Sequence, residues 1–356
     1  MLFSPVTLGS LELPNRLVMA PLTRVRSGKD GVPGPMVVEH YRQRASLGLI
    51  VSEGAYPSQA GRGFPGQPGL VTEEQLTGWA NVTAAVHAEG GRIFAQVMHA
   101  GRVTHEDTTG GYEVVAPSAI AIDGETRTYE GKKPFPIPRA LTTAELPGIV
   151  QEFVTASRKA VDAGFDGVEL HSANGYLLHE FLAPSANQRD DIYGGSPENR
   201  ARFVIEVTQA VVNAIGADRV GIRISPEHNV QGATELDAAD VSKTYGILVD
   251  ALAPLKLAYL SILHKDPTSE LVQDLRTRFG GTFLLNTGFG VVTTREEAKA
   301  LVADGHADAV VVGRPAIANP DLVRRWRDGL PVNEPDASTF YTDGAKGYTD
   351  YPAYQN

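Results

Sequence analysis

Three hydrogen-bond donors, His171, Asn174 and Tyr176, lie within six positions of one another. They occur where a short apolar run, typical of a buried β-strand, gives way to a loop. His171 and Asn174 can form a two-donor clamp that polarises a carbonyl oxygen, by the same logic as an oxyanion hole. Tyr176 can then act as a proton donor. A lone buried histidine is more often a hydrogen-bonded core residue, but the three donors together favour a catalytic site.

The loops after the last two apolar runs carry an anion-binding pattern. Arg314 follows Gly313 directly after the last run, and Gly288 and Gly290 follow the run before it. Glycines let backbone amides approach an anion closely, and the arginine fork suits phosphate oxygens. An ion pair between Arg314 and a carboxylate such as Asp321 is the alternative. We favour a phosphorylated cofactor or substrate, because loops at these positions of a barrel recur as phosphate sites.

A cation and an amide are expected to face the interior of the same site. Strand alternation points Arg223 inward, where a guanidinium must be paired or bind a ligand because it cannot shed its charge. Gln96, on the third apolar run, can face the same space. The two groups suit the edge of a planar heteroaromatic ring that carries carbonyl oxygens and ring nitrogens. For Gln96 alone, a structural hydrogen bond is an equal alternative.

The composition narrows the possible chemistry. The 356 residues contain 42 Asp and Glu against 32 Lys and Arg, a formal charge of −10, and no cysteine. Without cysteine the chain has no thiol nucleophile, disulfide or iron–sulfur cluster, so redox chemistry needs a bound cofactor. The acidic balance, with no Lys/Arg run, argues against nucleic-acid binding. The histidines show no HxH or HExxH spacing, so we expect no metal site.

Targeting signals are not evident. No apolar stretch reaches the roughly 18 residues of a membrane span. The segment Met1–Pro14 lacks a basic region followed by an apolar stretch, so we do not interpret it as a signal peptide. We therefore expect a cytoplasmic protein without a membrane partner.

Short apolar runs rich in β-branched residues recur along the chain and alternate with segments of helical periodicity. This alternation predicts an α/β fold, a (β/α)8 TIM barrel, with a doubly wound sheet as the main alternative. In such a barrel the chemistry lies at the carboxyl ends of the strands, where the polar residues above are found. The predicted strands are Arg16–Ala20, Leu49–Ser52, Arg92–Met98, Gly167–Leu170, Val220–Ile224, Leu257–Ile262, Thr282–Asn286 and Ala309–Gly313.

Capping patterns mark the starts of several helices. Thr142 and Glu145 form a capping box before an apolar stripe that ends at Gly164. Similar signals, either a capping side chain before a first-turn proline or a second capping box, are found at Ser196–Pro197, at Asn319–Pro320 and at Thr293 with Glu296.

Two segments lie outside the repeat. The segment Thr7–Glu12 predicts a tight hairpin around Gly9 and Ser10, which can close the bottom of the barrel. The segment Gly101–Leu141 is a long excursion after the third strand, rich in Gly, Pro and Thr, and we interpret it as a lid or pocket wall. No composition break divides the chain, so residues 1–356 are predicted to form a single domain.

Ordered sequence blocks run through nearly the whole chain. They are Leu2–Pro5, Asn15–Arg24, Ser52–Gly54, His99–Arg102, His171–Leu182, Asn187 with Arg189 and Asp190, Tyr193–Ser196, Glu198–Arg200, Gly313–Arg314, Asn319–Leu322 and Phe340–Tyr341. Together they resemble the Old Yellow Enzyme family of FMN-dependent ene-reductases. The ordered series is far more specific than any one of its blocks.

The resemblance implies a single barrel domain that holds FMN at its mouth. Thr23 is expected to hydrogen-bond an isoalloxazine carbonyl and to tune the reduction potential of the flavin. A related branch of the family has Cys at this position. With Thr23, this chain resembles the Old Yellow Enzyme and pentaerythritol tetranitrate reductase branch instead. The residues expected to contact the flavin are Pro21, Leu22, Thr23, Gly54, Gln96, Arg223, Gly288, Gly313 and Arg314.

The resemblance also implies two half-reactions at one site. NADPH or NADH first reduces the cofactor and leaves, and an α,β-unsaturated carbonyl or nitroalkene then binds with its oxygen held by His171 and Asn174. The β-carbon accepts a hydride while Tyr176 protonates the α-carbon. Tyr341 and Met98 are expected to line the substrate pocket. Met98 replaces a Trp that is common in this branch of the family.

Two other classes of function share parts of this pattern. A non-redox phosphate-binding barrel, of the aldolase or isomerase type, would share Arg314 and the glycine loops. It would need a base or a lysine at the carboxyl end of a strand, and Lys256 precedes its strand. A barrel that binds a ligand without turnover is the third interpretation. The colour of the purified protein separates these classes from the first, because bound flavin is yellow.

Overall fold

The computed structural model describes residues 1–355. At its centre, eight parallel strands form a closed barrel. The strands in chain order are β1 (Val6–Leu8), β2 (Leu11–Leu13), β3 (Leu17–Met19), β4 (Leu49–Val51), β5 (Ile93–Val97), β6 (Val115–Ala116), β7 (Glu125–Thr128), β8 (Gly131–Pro134), β9 (Arg139–Ala140), β10 (Gly167–Ser172), β11 (Val220–Ile224), β12 (Tyr259–Leu263), β13 (Phe283–Asn286) and β14 (Ala309–Val312).

Helices separate the barrel strands along the chain. The α-helices are α1 (Pro35–Arg42), α2 (Glu73–Ala88), α3 (Glu106–Thr109), α4 (Leu146–Asp162), α5 (Leu177–Leu182), α6 (Pro197–Ile215), α7 (Ala238–Leu252), α8 (Glu270–Phe279), α9 (Arg295–Ala303), α10 (Arg314–Ala318) and α11 (Leu322–Asp328). Short 3₁₀ helices occur at Gln59–Gly61, Thr143–Glu145, Ala217–Arg219, Ala253–Leu255 and Ala337–Thr339.

The barrel consists of β3, β4, β5 and β10 to β14, and strands that follow one another in this series are paired in space. Pairing of β14 with β3 closes the ring. This order confirms the (β/α)8 barrel, and the doubly wound alternative is wrong. All the predicted barrel strands are found, with ends that differ by no more than two residues. Both faces of these strands are buried, so each appears in the sequence as a continuous apolar run.

The predicted hairpin near the amino terminus is confirmed, with β1 and β2 paired across Gly9 and Ser10. Gly9 has φ +56°, and a Cβ there would clash with the carbonyl group of Asp218. Leu8 and Leu13 are fully buried in an apolar cluster with residues of the barrel strands, and Gly9 lies against Asp218 and Ala258, which precede β11 and β12. The hairpin therefore closes the bottom of the barrel.

The excursion after β5 is built from short elements rather than from irregular chain alone. It contains α3, the antiparallel hairpin β7–β8 and the short parallel pair β6–β9. Val103 and Phe135 of this segment line the cavity at the barrel mouth. These positions support the interpretation of the excursion as a pocket wall.

Two predicted helix starts are confirmed and one is displaced by one residue. Thr142 and Glu145 form the predicted capping box, and Ser196 caps α6. The second box uses Thr294 and Glu297, whereas Thr293 with Glu296 was predicted. The reason is that the Thr293 hydroxyl is buried and bonded to another threonine hydroxyl at 2.9 Å, which removes it from the helix start.

The start predicted at Asn319–Pro320 is wrong. The helix begins at Leu322, after Asp321. Asn319 instead follows the end of α10, where its side-chain amide donates to the Pro315 carbonyl at 2.9 Å. Its Oδ1 accepts from the Asn333 amide at 2.7 Å. Asn319 thus links α10 to a distant segment instead of capping the next helix.

Within residues 1–355, none of the helices is both long enough and apolar enough to span a membrane.

Candidate active site

The carboxyl ends of the barrel strands surround a cavity of about 620 Å³. This is the end at which barrel enzymes carry their active sites. The predicted site residues that line the cavity are Pro21, Leu22, Thr23, Gln96, Met98, His171, Asn174, Tyr176, Arg223, Gly288, Gly313, Arg314 and Tyr341. Residues that are far apart in the sequence are therefore brought to one place.

Gly54 is the predicted site residue that is not found in the cavity lining. It lies behind the wall, where a Cβ would approach the Met98 sulfur to 2.8 Å and Gln96 Oε1 to 3.2 Å. The absence of a side chain therefore makes room for both neighbours. Contact between Gly54 and the flavin stays a prediction.

His171 lies inside β10 rather than after it, next to Arg223 on β11. Burial lowers the pKa of His171 well below its ordinary value, and the positive charge of Arg223 lowers it further. The imidazole is therefore neutral at physiological pH and carries one N–H donor. Its Nδ1 has no hydrogen-bond partner within the described residues. His171 is thus a buried, neutral group that faces the cavity.

Asn174 is held by its backbone, and its side chain is left available. Its N–H donates to Ser225 Oγ at 2.8 Å, and its carbonyl accepts from Gln231 Nε2 at 2.8 Å. Its side-chain Oδ1 has no partner within residues 1–355. The side chain lines the cavity, where its Nδ2 can donate to a ligand.

Tyr176 immediately precedes α5 and is almost fully buried at the cavity wall. Its ring lies 5.1 Å from the His171 ring and packs edge-on against Phe64 at 6.3 Å, centroid to centroid. Burial raises the pKa of the Tyr176 hydroxyl to about 12, although a hydrogen bond with Gln231 opposes the rise. The hydroxyl therefore stays protonated and can serve as a donor.

A polar layer lies inside the barrel beneath these residues. Gln96 Nε2 donates to Glu169 Oε1 at 2.8 Å, and the Tyr259 hydroxyl donates to Glu169 Oε2 at 2.9 Å. Arg223 Nη2 donates to Asn286 Oδ1 at 3.2 Å, whereas its Nε and Nη1 have no partner within the described residues. The structural hydrogen bond considered for Gln96 is thus present, and the same residue also lines the cavity.

Arg314 is the first residue of the short helix α10, directly after β14. Its Nη2 donates to the carbonyl group of Phe289, in the loop after β13, at 2.7 Å. Asp321 pairs with Arg325 at 2.6 Å, so the proposed ion pair between Arg314 and Asp321 is wrong. Gly288 has φ +96°, which favours glycine. This combination of loops and a short extra helix is typical of phosphate sites in barrels.

These residues fit FMN. The unpartnered nitrogens of Arg223 can donate to acceptors at the edge of the ring system, and Arg314 with the glycine loops suits the phosphate. FMN carries both a polar planar edge and a phosphate, so it matches the two kinds of donor that line the cavity.

Within the described residues, no group of three His, Cys, Asp or Glu side chains is arranged to hold a metal ion.

Several residues in the cavity and in the polar layer beneath it were not predicted. Glu169 lies two positions before His171 on β10, so strand alternation alone could have placed it on the same face. Phe64, Gln231 and Arg127 line the cavity, and they belong to loops and to the excursion. No periodic pattern in the sequence could have found these three.

Comparison with known proteins gives consistent results. The NADH:flavin oxidoreductase / NADH oxidase family matches residues 1–333. A probable flavin mononucleotide-dependent alkene reductase from Leishmania infantum is 41% identical over 360 residues, which cover 99% of this chain and 97% of that protein. The structure of the Old Yellow Enzyme homologue from Zymomonas mobilis has a TM-score of 0.93 and 41% identity, and 99% of each chain is covered. Morphinone reductase in complex with tetrahydroNAD has a TM-score of 0.93 and 44% identity, covering 100% of this chain and 98% of that one.

The match to the family model extends over nearly the whole barrel, including the strand ends that form the cavity. The chain therefore belongs to the NADH:flavin oxidoreductase / NADH oxidase family, and it is an FMN-dependent oxidoreductase of the Old Yellow Enzyme type that uses a reduced nicotinamide nucleotide.

Proposed function

We propose that this enzyme reduces the activated C=C bond of α,β-unsaturated carbonyls or nitroalkenes, with NADPH or NADH as the reductant. The observation that carries this proposal is the cluster of His171, Asn174 and Tyr176 on one wall of the cavity. His171 and Asn174 are neutral groups that can each donate an N–H to an oxygen, and Tyr176 is a protonated hydroxyl. A conjugated acceptor needs both kinds of group, because charge builds on its oxygen while its α-carbon needs a proton.

Each residue has a distinct role in the proposed reaction. When bound, FMN supplies the hydride. His171 and Asn174 hold the substrate oxygen and stabilise the charge that develops there. Tyr176 delivers its proton to the α-carbon. The flavin is held by the predicted contact residues, Pro21, Leu22, Thr23, Gly54, Gln96, Arg223, Gly288, Gly313 and Arg314.

The remaining cavity wall supports a small and largely apolar substrate. Met98 and Phe64 face the cavity beside Tyr176, and Tyr341 lies at the mouth with more than half of its surface exposed. A flexible Met side chain adapts to ligands of different shape. We propose that Met98 and Tyr341 contact the substrate and that the pocket accepts compounds about the size of cyclohexenone.

The non-redox alternative receives no support. Lys256 lies before β12, at the amino end of the barrel, with φ +58°. An aldolase or isomerase would need such a group at the opposite end. Membership of a flavin oxidoreductase family also argues against a barrel that binds its ligand without turnover.

A direct test of the function uses the purified enzyme under anaerobic conditions. The yellow colour should be lost when NADPH or NADH is added and should return when cyclohexenone is supplied, with the saturated ketone as product. Persistence of the reduced state in the presence of cyclohexenone and nitroalkenes would contradict the proposed substrate class. Comparing the two nucleotides in the first step gives the cofactor preference.

The cytoplasmic location, the single domain and the absence of nucleic-acid and membrane partners stay predictions. Cell fractionation tests the first, limited proteolysis tests the second, and binding assays test the last two.

Replacing Arg314 by alanine is expected to weaken retention of FMN. A charge-assisted contact to the phosphate would be lost, which costs about 2 kcal/mol, or roughly a 30-fold rise in the dissociation constant. Flavin fluorescence in the dialysate measures the release. Arg158→Ala is a suitable control, because Arg158 is exposed on α4 and lies outside the cavity lining. Equal retention in the two variants would remove Arg314 from the phosphate site.

The half-reaction with an enone is expected to be insensitive to pH between about 6 and 9. Burial raises the pKa of Tyr176 to about 12, so its hydroxyl stays protonated throughout this range. Burial lowers the pKa of His171 well below its ordinary value, so the imidazole stays neutral. Stopped-flow rates of reoxidation by cyclohexenone test this. A fall in rate as pH rises through this range would show that the proton donor titrates earlier than its burial implies.

A further inference from the structure

The loop that carries two of the proposed catalytic residues has an uncommon backbone conformation. Asn174 has φ +59° and the next residue, Gly175, has φ +80°. Asparagine tolerates the left-handed region better than most residues, and glycine enters it freely. Two consecutive residues in this region persist only when their surroundings fix them. The contacts that fix this loop therefore also fix the side chains of Asn174 and Tyr176.

One of these contacts comes from a buried histidine. The Gly175 N–H donates to Nδ1 of His179, one turn along α5, at 2.8 Å. His179 is fully buried. A backbone N–H can only donate, so Nδ1 must be unprotonated, and the proton of the neutral ring lies on Nε2.

A carboxylate faces the other nitrogen of the same ring. His179 Nε2 lies 3.2 Å from Glu235 Oε1, which also accepts from the Tyr245 hydroxyl at 2.9 Å. Glu235 Oε2 accepts from the Glu227 N–H at 2.9 Å. Burial favours protonation of Glu235, but the hydrogen bonds from His179, from Tyr245 and from the Glu227 backbone keep the pKa of Glu235 below its ordinary value. Glu235 is thus an acceptor, and it selects the tautomer with the proton on Nε2.

We propose that His179, oriented by Glu235, is a positioning residue for the Asn174–Tyr176 loop. The chain of hydrogen bonds runs from the carboxylate through the imidazole to the amide between the two catalytic residues. It holds the Asn174 amide where the substrate oxygen binds and the Tyr176 hydroxyl where the α-carbon lies. This proposal rests on the roles assigned to those two residues under the proposed function.

Two substitutions of His179 separate positioning from general stability. His179→Asn keeps an acceptor near the place of Nδ1 and loses the contact to Glu235. His179→Gln reaches the place of Nε2 and leaves the Gly175 N–H without an acceptor. Both variants place a neutral amide in the same buried position, so they are matched in polarity.

The measurement is the ratio of two stopped-flow rates, reoxidation of the reduced enzyme by cyclohexenone and by a quinone. Reduction of a quinone needs no proton on carbon, so this step is independent of Tyr176. We expect His179→Gln to lower the enone-to-quinone ratio about tenfold, the rate equivalent of one lost buried hydrogen bond. His179→Asn should keep the ratio within about threefold of the unmodified enzyme.

The proposal is overturned if His179→Gln slows both steps equally, or if His179→Asn lowers the ratio as much as His179→Gln does. Either result would show a structural role only. If His179→Gln does not fold, Glu235→Gln decides the question. The amide of the introduced glutamine can donate to His179 Nε2, which moves the ring proton to Nδ1. Nδ1 can then no longer accept from the Gly175 N–H. An unchanged ratio in Glu235→Gln would also overturn the proposal.

Failure of this proposal can be told apart from failure of the proposed function. Tyr176→Phe in the otherwise unmodified enzyme should lower the same ratio, whatever His179 does. A low ratio in Tyr176→Phe with a normal ratio in His179→Gln rejects only the positioning role. A normal ratio in Tyr176→Phe rejects the assignment of Tyr176, on which the inference depends.

Discussion

The double variant His171→Ala, Asn174→Ala is expected to lose the long-wavelength charge-transfer band that a phenol gives when it binds over the flavin. A phenol binds as the phenolate when donors stabilise its oxygen, which lowers its pKa. The neutral imidazole of His171 and the side-chain amide of Asn174 both line the cavity and are placed to do this. The same donors act on the enone oxygen, so reoxidation by cyclohexenone should slow by about 10³-fold or more.

Titration with p-hydroxybenzaldehyde, followed by absorbance, measures the band. A matched control is His264→Ala, because His264 is as buried as His171, each with 4% of its surface exposed, yet it lies outside the cavity lining. The control variant should keep the band. A band of full strength in the double variant would mean that other residues form the clamp.

The barrel and much of its site could be predicted from the sequence, because both follow from local periodicity. Barrel strands are buried on both faces and appear as apolar runs, so their positions can be found without knowing their partners. Once the strands are placed, alternation tells which side chains point inward. This reasoning brought His171 and Arg223 to one cavity, where they occupy paired positions on neighbouring strands. It would have found Glu169 as well, had it been applied to the whole of β10.

The features that were not predicted depend on which partner each side chain contacts in the folded chain. Asp321 pairs with Arg325 four residues later, and Arg314 instead contacts the carbonyl group of Phe289 in the loop after β13. The chain segment around Thr293 could begin its helix at either of two threonines, and a buried contact between Thr293 and Thr287 of the same loop decides between them. The acceptor role of His179 on α5 depends on Glu235, which lies in the loop between β11 and α7. Local patterns therefore predict the barrel strands and the inward-facing residues. The folded structure decides which hydrogen-bond or ion-pair partner each side chain has.

Replacing Tyr176 by phenylalanine is expected to separate proton delivery from binding. The change removes only the hydroxyl, so the ring keeps its packing against Phe64 and His171. Burial raises the pKa of this hydroxyl to about 12, so it is a weaker acid than an ordinary tyrosine hydroxyl. A proton is nevertheless transferred readily to a carbon that becomes strongly basic as hydride arrives, and general acid catalysis of this kind contributes about 10²-fold or more.

We therefore expect reoxidation of the reduced enzyme by cyclohexenone to slow by about 10²-fold in Tyr176→Phe, while reduction by NADPH and reoxidation by a quinone change little. Tyr193→Phe is a matched control, because Tyr193 has the same 8% exposure but donates to Glu206 outside the cavity. It should leave all three rates unchanged. Because the quinone and the enone oxidise the same reduced enzyme, a shared defect in flavin binding would slow both steps. Equal slowing of the two steps in Tyr176→Phe would therefore assign Tyr176 a structural role, and only selective slowing of the enone step identifies it as the proton donor.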